Sequence, residues 1–490
     1  MRAYYGDIHS HCGASYGHGS IEDALHNARL QLDFCSITGH SSWPDLGSRA
    51  MPEEVRAYHQ KGFARMAENW PGFAAAHAAA STPGRFVAFP SYESHSFEAG
   101  DRGVYHRKAP EAMIIPEDFS ELQDLASSSQ GEIFLLPHHI GYARGFRGIN
   151  WDLFDGSASP LVEIISMHGC NESDEASYPP LHTMGPRSSG QTMQAGLAAG
   201  KFFGVTGSTD HHSAHPGSYG WGLTGVWAQE LTLDALWEAF QKRRTWAVSG
   251  DRIEISFQVD GVGMGSQVEG RGRRNLAYAV RGEGPIDYLE ILKDNRVIHR
   301  VHPERPRPHL PERGRLFLEL GWGEKGVQQD WEVRISIHGG RLTEITPKFR
   351  GRDTVDPLHR PEGRYRLSEI TDRGERTFAF RTITWGNPTS STAATQGCGL
   401  EITHHGNGVL EVQANNTIRR LPLAELARGS ASFHLGGFLS GAVRVSRFVP
   451  PEEYTLTGAA DDDGPGGTYY LRVRQHNNHW AWSSPIQYRS

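Results

Sequence analysis

Tyr4-Tyr5-Gly6-Asp7-Ile8-His9-Ser10-His11 is the stretch whose reading decides the fold. Tyr4 to Ile8 reads as a short strand, and it ends on two histidines spaced i, i+2. Residues two apart on a strand share a face, so His9 and His11 can approach one point together. The same grammar then repeats. Phe34-Cys35-Ser36-Ile37 runs into Thr38-Gly39-His40, and Phe86-Val87-Ala88-Phe89 into Pro90-Ser91-Tyr92-Glu93. Ile133-Phe134-Leu135-Leu136 leads to Pro137-His138-His139, and Leu161-Val162-Glu163-Ile164-Ile165 to Ser166-Met167-His168. Phe202-Phe203-Gly204-Val205 leads to Ser208-Thr209-Asp210-His211-His212. Short apolar runs bounded by Gly, Pro and polar residues fit buried parallel strands. Parallel α/β folds gather their C-terminal strand ends on one face, where active sites sit.

Helical signals fall between these strands. Ser20 is an N-cap candidate with Asp23 three residues on, resembling a capping box. Ile21, Ala24, Leu25 and Ala28 then form one apolar stripe. A long Ala-rich helical stretch runs from Val55 to Ala80, and a last helix places Leu233, Leu236, Trp237 and Phe240 on one face, ending near Arg244. Alternating strands and helices predict an α/β barrel or doubly wound sheet. After about residue 250 the period changes to two: Ile253-Glu254-Ile255-Ser256-Phe257-Gln258-Val259 runs into the turn Asp260-Gly261. Glu332 to Ile337 and Tyr469 to Arg474 follow in the same style, so this half reads as β-sandwich-like. The expected division is residues 1–250 for the α/β part and 251–490 for the β-rich part. Residues 340–450 are read as an insertion or second β-module, and the Pro- and Arg-rich stretch 303–313 as an exposed loop.

A chain of 490 residues exceeds one compact core. Its net charge of −7 is spread along the chain and leaves no basic footprint for nucleic acid or membrane. No apolar run approaches the ~20 residues that span a bilayer. The four cysteines form no CxxC pair, which fits a reducing compartment and a cytoplasmic location. A phosphate-loop motif is absent from the sequence, no dinucleotide fingerprint stands in the right context, and no Gly-x-Ser-x-Gly is read at a strand–helix junction. Histidine is the outlier: of 26, 16 precede residue 217.

Neutral imidazole with carboxylate suits Zn²⁺, Mn²⁺ or Fe²⁺. The strand-end set exceeds what one ion can use, so two to three divalent ions are expected, with Glu93 as a bridge. The ligand candidates are His9, His11, His18, His40, Glu93, His138 or His139, His168, Asp210 and His212. His95, His106 and His211 are read as neighbours, His26, His59 and His77 as surface or capping residues, and His404-His405 as an exposed turn. Cys12 and Cys170 sit beside ligands, as packing residues or thiolate donors. Arg144 and Arg147, in Gly141-Tyr142-Ala143-Arg144-Gly145-Phe146-Arg147, can hold a phosphate bidentately or lie in a solvated loop. Trp43 either walls the pocket or packs.

Gly6-Asp7-Ile8-His9-Ser10-His11 resembles the opening motif of the PHP family, named for polymerase and histidinol phosphatase. Thr38-Gly39-His40 resembles its second motif, which usually has Asp before the His. Glu93, His138 (or His139), His168 and Asp210-His211-His212 are similar to its later positions, and His18 falls where the family places an Asp or His. Arg243 to Gly250 and Trp480 to Ile486 resemble a PHP-related branch with a C-terminal β-domain. The resemblance implies a distorted seven-stranded (β/α) barrel with a trinuclear site. It would place His9, His11, Glu93 and Asp210 on one ion, Glu93, His138 and His168 on a second, and His18, His40 and His212 on a third. The implied activity is phosphoester hydrolysis of a small-molecule substrate, with Asp210 at the reacting centre and Arg144 or His211 steadying the leaving oxygen. Two alternatives remain: amidohydrolase-like cleavage of another ester, lactone or amide, and a degenerate scaffold whose β-region binds a partner.

Overall fold

Arg2–Asp7 forms the first strand, and the turn after it presents His9 and His11. The computed structural model describes residues 1–182, 184–304, 309–352, 363–386 and 395–489. Helix Ile21–Gln31 starts at the expected capping box: Asp23 N donates to Ser20 Oγ at 3.0 Å and Ser20 N to the Asp23 carboxylate at 3.3 Å. Ala24, Leu25 and Ala28 are buried along it. The Ala-rich stretch is one helix, Glu53–Ala80, with Pro71 inside it.

The second strand signal divides in two. Phe34–Cys35 runs parallel between Arg2–Asp7 and Val87–Ala88, while Thr38–Ser42 pairs in parallel with Ser91–Ser94 in a separate sheet. His40 and Glu93 are therefore cross-strand partners in a ladder rather than residues past strand ends. Arg102–His106 then lies antiparallel on Ser91–Ser94 and on Ile133–Pro137. Its sequence, Arg-Gly-Val-Tyr-His, lacks an apolar run, which hid it from periodicity. Leu161–Ser166 and Gly204–Gly207 form a parallel pair. Leu223–Ala228 runs antiparallel to Arg2–Asp7, and Thr245–Val248 antiparallel to Leu223–Ala228.

These antiparallel members replace the uniform βα repeat. The ladders fall into separate sheets, and no closed barrel runs through the described residues, in contrast to the expected seven-stranded barrel. The N-terminal half is a mixed α/β region. Phe34, Val87, Phe89, Leu161 and Val226 form an apolar layer beneath the strand ends, covered by Leu236, Trp237 and Phe240 of helix Leu233–Gln241.

The later half is antiparallel β-sheet. Glu254–Val259, Arg274–Arg281 and Thr455–Asp462 make one sheet, and the long strands Gln328–Lys348 and Gln396–Ala414 centre another. Trp480–Ser483 returns to pair with Thr245–Val248, so the end of the chain extends the sheet that holds Arg2–Asp7. Residues 305–308 of the expected loop at 303–313 lie outside the described residues, as do 353–362 and 387–394 of the 340–450 stretch. No helix among the described residues is long and apolar enough to cross a membrane.

Candidate metal centre

Backbone hydrogen bonds zip the first and last motifs together. Asp210 N donates to His9 O at 2.7 Å, and His11 N donates to His211 O at 2.8 Å. The Asp7 carboxylate sits beneath this seam and accepts from the backbone N of His9 at 3.1 Å, Thr209 at 3.1 Å and Gly217 at 2.8 Å. Burial still pushes its carboxyl up to about 6. Asp210 and His139 hold left-handed backbone, at φ 55° and 52°. Non-glycine residues adopt it at a cost of ~1–3 kcal/mol, and such strain clusters at functional sites.

Five overlapping groups of donor atoms result, each with its atoms within 4.8 Å of one another. They are His9-Glu93-His138-His139, His11-His40-His212, His9-His11-Asp210, His40-Glu93-His95 and His139-His168-Asp210. His138 and His139 both fall within these groups. His138 Nε2 lies 3.0 Å from Glu93 Oε1, and His168 Nε2 lies 3.0 Å from Asp210 Oδ2. His168 thus groups with His139 and Asp210, rather than with Glu93 and His138 as the resemblance implied.

Four of the rings are held from outside through Nδ1. His9 Nδ1 meets both Glu163 oxygens at 3.0 and 3.2 Å. The other three contacts are His40 Nδ1 with Ser15 Oγ at 3.2 Å, His168 Nδ1 with the Tyr142 hydroxyl at 2.9 Å, and His212 Nδ1 with Asp210 O at 2.8 Å. At His9 and His212 the partner oxygen can only accept, which puts the proton on Nδ1 and leaves Nε2 as the inward lone pair, the arrangement of metal-binding histidines. The hydroxyls at His40 and His168 orient their rings and can donate or accept. His9 Nε2 and Glu93 Oε2 are buried and make no hydrogen bond. The residues present therefore fit divalent cations.

Electrostatics favour the neutral form at three rings, whereas at His9 the lowering by burial is outweighed by Glu163 and Asp210, which hold it well above the usual histidine range. Burial, with His212 beside it, pushes His11 down to about 3. Burial and the adjacent His11 hold His40 well below the usual histidine range, and burial with His168 does the same to His139. These rings are neutral at pH 7, the form that ligates. Burial alone would raise Glu93, but the facing His95, His138 and His40 hold it well below the usual carboxylate range. Glu93 is thus an anion set among imidazoles, available to more than one group.

Gly39 stands where the resembled motif carries Asp, because a Cβ there would run into Met66 Sδ of the long helix. Ser15 supplies the Nδ1 contact to His40 instead, and Tyr16 stacks on the His40 ring with centroids 3.6 Å apart.

Other expected residues fare differently. His18 N donates to His212 O at 2.8 Å, yet its ring belongs to none of the five groups. His211 is buried but outside them; its ring packs towards His215, and its Nδ1 accepts from Ser213 N at 3.2 Å. Arg144 is a correction: its side chain is 52% exposed and paired with Asp152 at 3.1 Å, away from the cluster. Three residues on, Arg147 turns inward on a left-handed backbone, φ 71°, to meet Asp101 at 2.5 Å and His95 Nδ1 at 2.8 Å. Trp43 packs on His95 at 5.0 Å with the Arg147 guanidinium 5.0 Å over its ring, so it walls the site.

His77 and His404 are buried rather than exposed. His77 bonds Phe73 O and accepts from Ile37 N; His404 Nε2 meets Pro311 O at 2.8 Å. Cys12 and Cys170 are buried, and burial pushes the Cys12 thiol up to about 12 and raises Cys170 as well. Neither joins a donor group, so both are packing residues.

Glu163, Asp101, Ser15 and Tyr142 were not legible as site residues. Glu163 alone left a trace, a single carboxylate inside an apolar strand run, Leu161–Ser166.

Fold and site together define an α/β protein with a buried histidine–carboxylate centre able to hold metal ions. Residues 168–268, which carry His168, Asp210 and His212, match the family described as "Protein of unknown function (DUF3604)". Over 246 residues the chain is 28% identical to an uncharacterized protein of Chlamydia trachomatis serovar D, covering 45% of this chain and 39% of that one. An uncharacterized protein of Chlamydia muridarum is 28% identical over 174 residues, covering 32% and 28%. The chain thus spans less than two fifths of the length of these relatives. A crystal structure of a two-domain protein containing predicted PHP-like metal-dependent phosphoesterase from Bacteroides vulgatus ATCC 8482 is similar at TM-score 0.32 and 12% identity. It covers 94% of this chain and 95% of that one. A likeness at that score bears on neither fold nor activity.

Proposed function

We propose that this protein is a metal-dependent hydrolase of small-molecule phosphoesters, working with two to three divalent ions, Zn²⁺ or Mn²⁺ foremost and Fe²⁺ as a further candidate. One observation carries the metal reading: His9, His40, His168 and His212 each spend Nδ1 on an outer partner and keep Nε2 for a shared interior. Structural histidines have no need of four such arrangements around two buried carboxylates. The phosphoester as substrate rests on the order of the PHP-like motifs.

Bound ions at such a centre supply a water activated towards pKa ~7 and neutralise charge on phosphoryl oxygens. The chain's own residues do the rest. His9, His11 and Asp210 would hold one ion, Glu93 and His138 a second, and His40 and His212, with His11, a third. Glu93 reaches both the His9 and the His40 groups, which suits it to bridge. Glu163 keeps His9 in the ligating tautomer. Arg147, tied to Asp101, fixes His95 and Trp43 at the edge of the site.

Release of nitrophenol from mono-, di- and triester substrates by metal-reconstituted protein tests the reaction. Turnover that disappears in His9→Ala supports it; no turnover on any of the three removes the phosphoester reading. Substoichiometric metal after careful purification would favour a scaffold instead.

A further inference from the structure

The loop at 208–219 carries Asp210 and His212 into the metal centre on a strained backbone. Asp210 and Ala214 are left-handed, at φ 55° and 51°. Each such residue costs ~1–3 kcal/mol and persists only where the surrounding structure over-determines it. One face of the loop is held by the first motif: Asp210 N donates to His9 O, Ala214 N to His11 O at 3.1 Å, and Gly217 N to the Asp7 carboxylate. The other face is held by the β-rich half, through the end of strand Gln328–Lys348 and the residues that follow it.

Tyr219 N donates to Phe349 O at 3.0 Å, Gly351 N to Ser218 Oγ at 3.1 Å, and Arg350 Nε to Tyr219 O at 3.2 Å. Gln31, the last residue of helix Ile21–Gln31, ties the two segments together. Its amide accepts from Phe349 N at 2.8 Å and donates to Gly217 O at 2.9 Å and Phe349 O at 3.2 Å. Gly351 lies flat against the loop: a Cβ there would stand 2.4 Å from His215 Cβ and 2.6 Å from His211 Cε1. Lys348 anchors the segment, with Nζ paired to Asp251 and, at 2.6 Å, to Glu283. Asp251 in turn accepts from the Tyr219 hydroxyl at 2.8 Å. Gln31, Ser218, Tyr219, Lys348 and Phe349 are all buried, where a lost hydrogen-bond partner costs ~1–3 kcal/mol.

We propose that Gln31 and the segment Lys348–Gly351 are positioning residues of the metal centre: the β-rich half braces the loop at 208–219 from behind and so places Asp210 and His212. None of these residues belongs to a donor group; they act through the backbone of the loop. The β-rich half is thereby a working part of the centre. The inference rests on the metal reading of the site and not on the choice of substrate.

Competition of the full chain for Zn²⁺ against a chelator of known affinity tests it, with folding checked by circular dichroism. Gln31→Met keeps the volume and removes the amide; Gly351→Ala sets one methyl against His211 and His215. Each should lower Zn²⁺ affinity about tenfold, the lower end of the loss that follows removal of a ligand's outer partner. Ser218→Ala takes only the acceptor from Gly351 N and should show a smaller loss in the same direction. Val412→Ala lies in the core of the same β-rich half, paired with Ile335 rather than with the segment at 348–351. It should lower the melting temperature and leave affinity unchanged. Folded Gln31→Met and Gly351→Ala proteins that bind Zn²⁺ as tightly as the parent overturn the proposal. An equal loss of affinity in Val412→Ala also overturns it, because the effect is then one of stability alone. A parent chain that binds no metal removes the metal reading together with this one.

Discussion

Replacing Glu163 by leucine tests how the centre is held without touching a candidate ligand. Both Glu163 oxygens lie against His9 Nδ1, at 3.0 and 3.2 Å, and the pair is buried. The carboxylate anchors the proton on Nδ1 and leaves Nε2 as the donor lone pair. Leucine keeps the volume but removes the acceptor. His9 then either leaves a buried N–H unpaired, at ~1–3 kcal/mol, or shifts its proton to Nε2 and ceases to be a ligand. Loss of such an outer partner lowers metal affinity by ~10–100-fold. Glu163→Gln retains an acceptor oxygen and loses only the charge, so its fall should be smaller. Competition of reconstituted protein against a chelator of known affinity measures this directly and needs no substrate. A Glu163→Leu variant that is folded by circular dichroism and binds metal as tightly as the parent would refute the reasoning.

Further expectations follow from the same geometry. Arg144→Ala should leave ester turnover and melting temperature unchanged within error, since an exposed pair contributes at most ~1 kcal/mol. Arg147→Ala should lower kcat/KM in the same assay, because it leaves Asp101 buried without its cation and His95 without its donor. Gly39→Ala should destabilise the protein by ~1–3 kcal/mol in urea titration, as the new methyl meets Met66. In the β-region, burial alone would raise Glu401, but Arg315, with hydrogen bonds from Arg313, Arg315 and Thr343, holds it down to about 2. Its folded pKa lies below the unfolded one, so its stabilising contribution is present above the unfolded value of 4.5 and is lost as pH falls towards 2. Melting temperature should therefore fall less steeply across that window in Glu401→Gln than in the parent.

Much of the centre could be read from residue order because strand and helix periods are local. The pair His9 and His11 follows from a period of two, and the cap of helix Ile21–Gln31 from Ser20 and Asp23 lying three apart. Glu93 stood out as a carboxylate at the end of an apolar run. The inserted strand Arg102–His106 could not be read, because both its neighbours bury it and its own residues carry no period.

The sequence by itself determined which donor types follow which strands, and hence that imidazoles and carboxylates would meet on one face. Only the tertiary structure decided which ones share a point. Glu163 reaches His9 across 154 positions of chain, and Ser15 rather than residue 39 supports His40 because Met66 occupies the space beside Gly39. Arg144 and Arg147 lie three residues apart in one loop, yet one faces solvent and the other is locked on Asp101. No local pattern separates them. A loop side chain takes its direction from the partner it finds, and that partner is brought into place by the packing of distant strands.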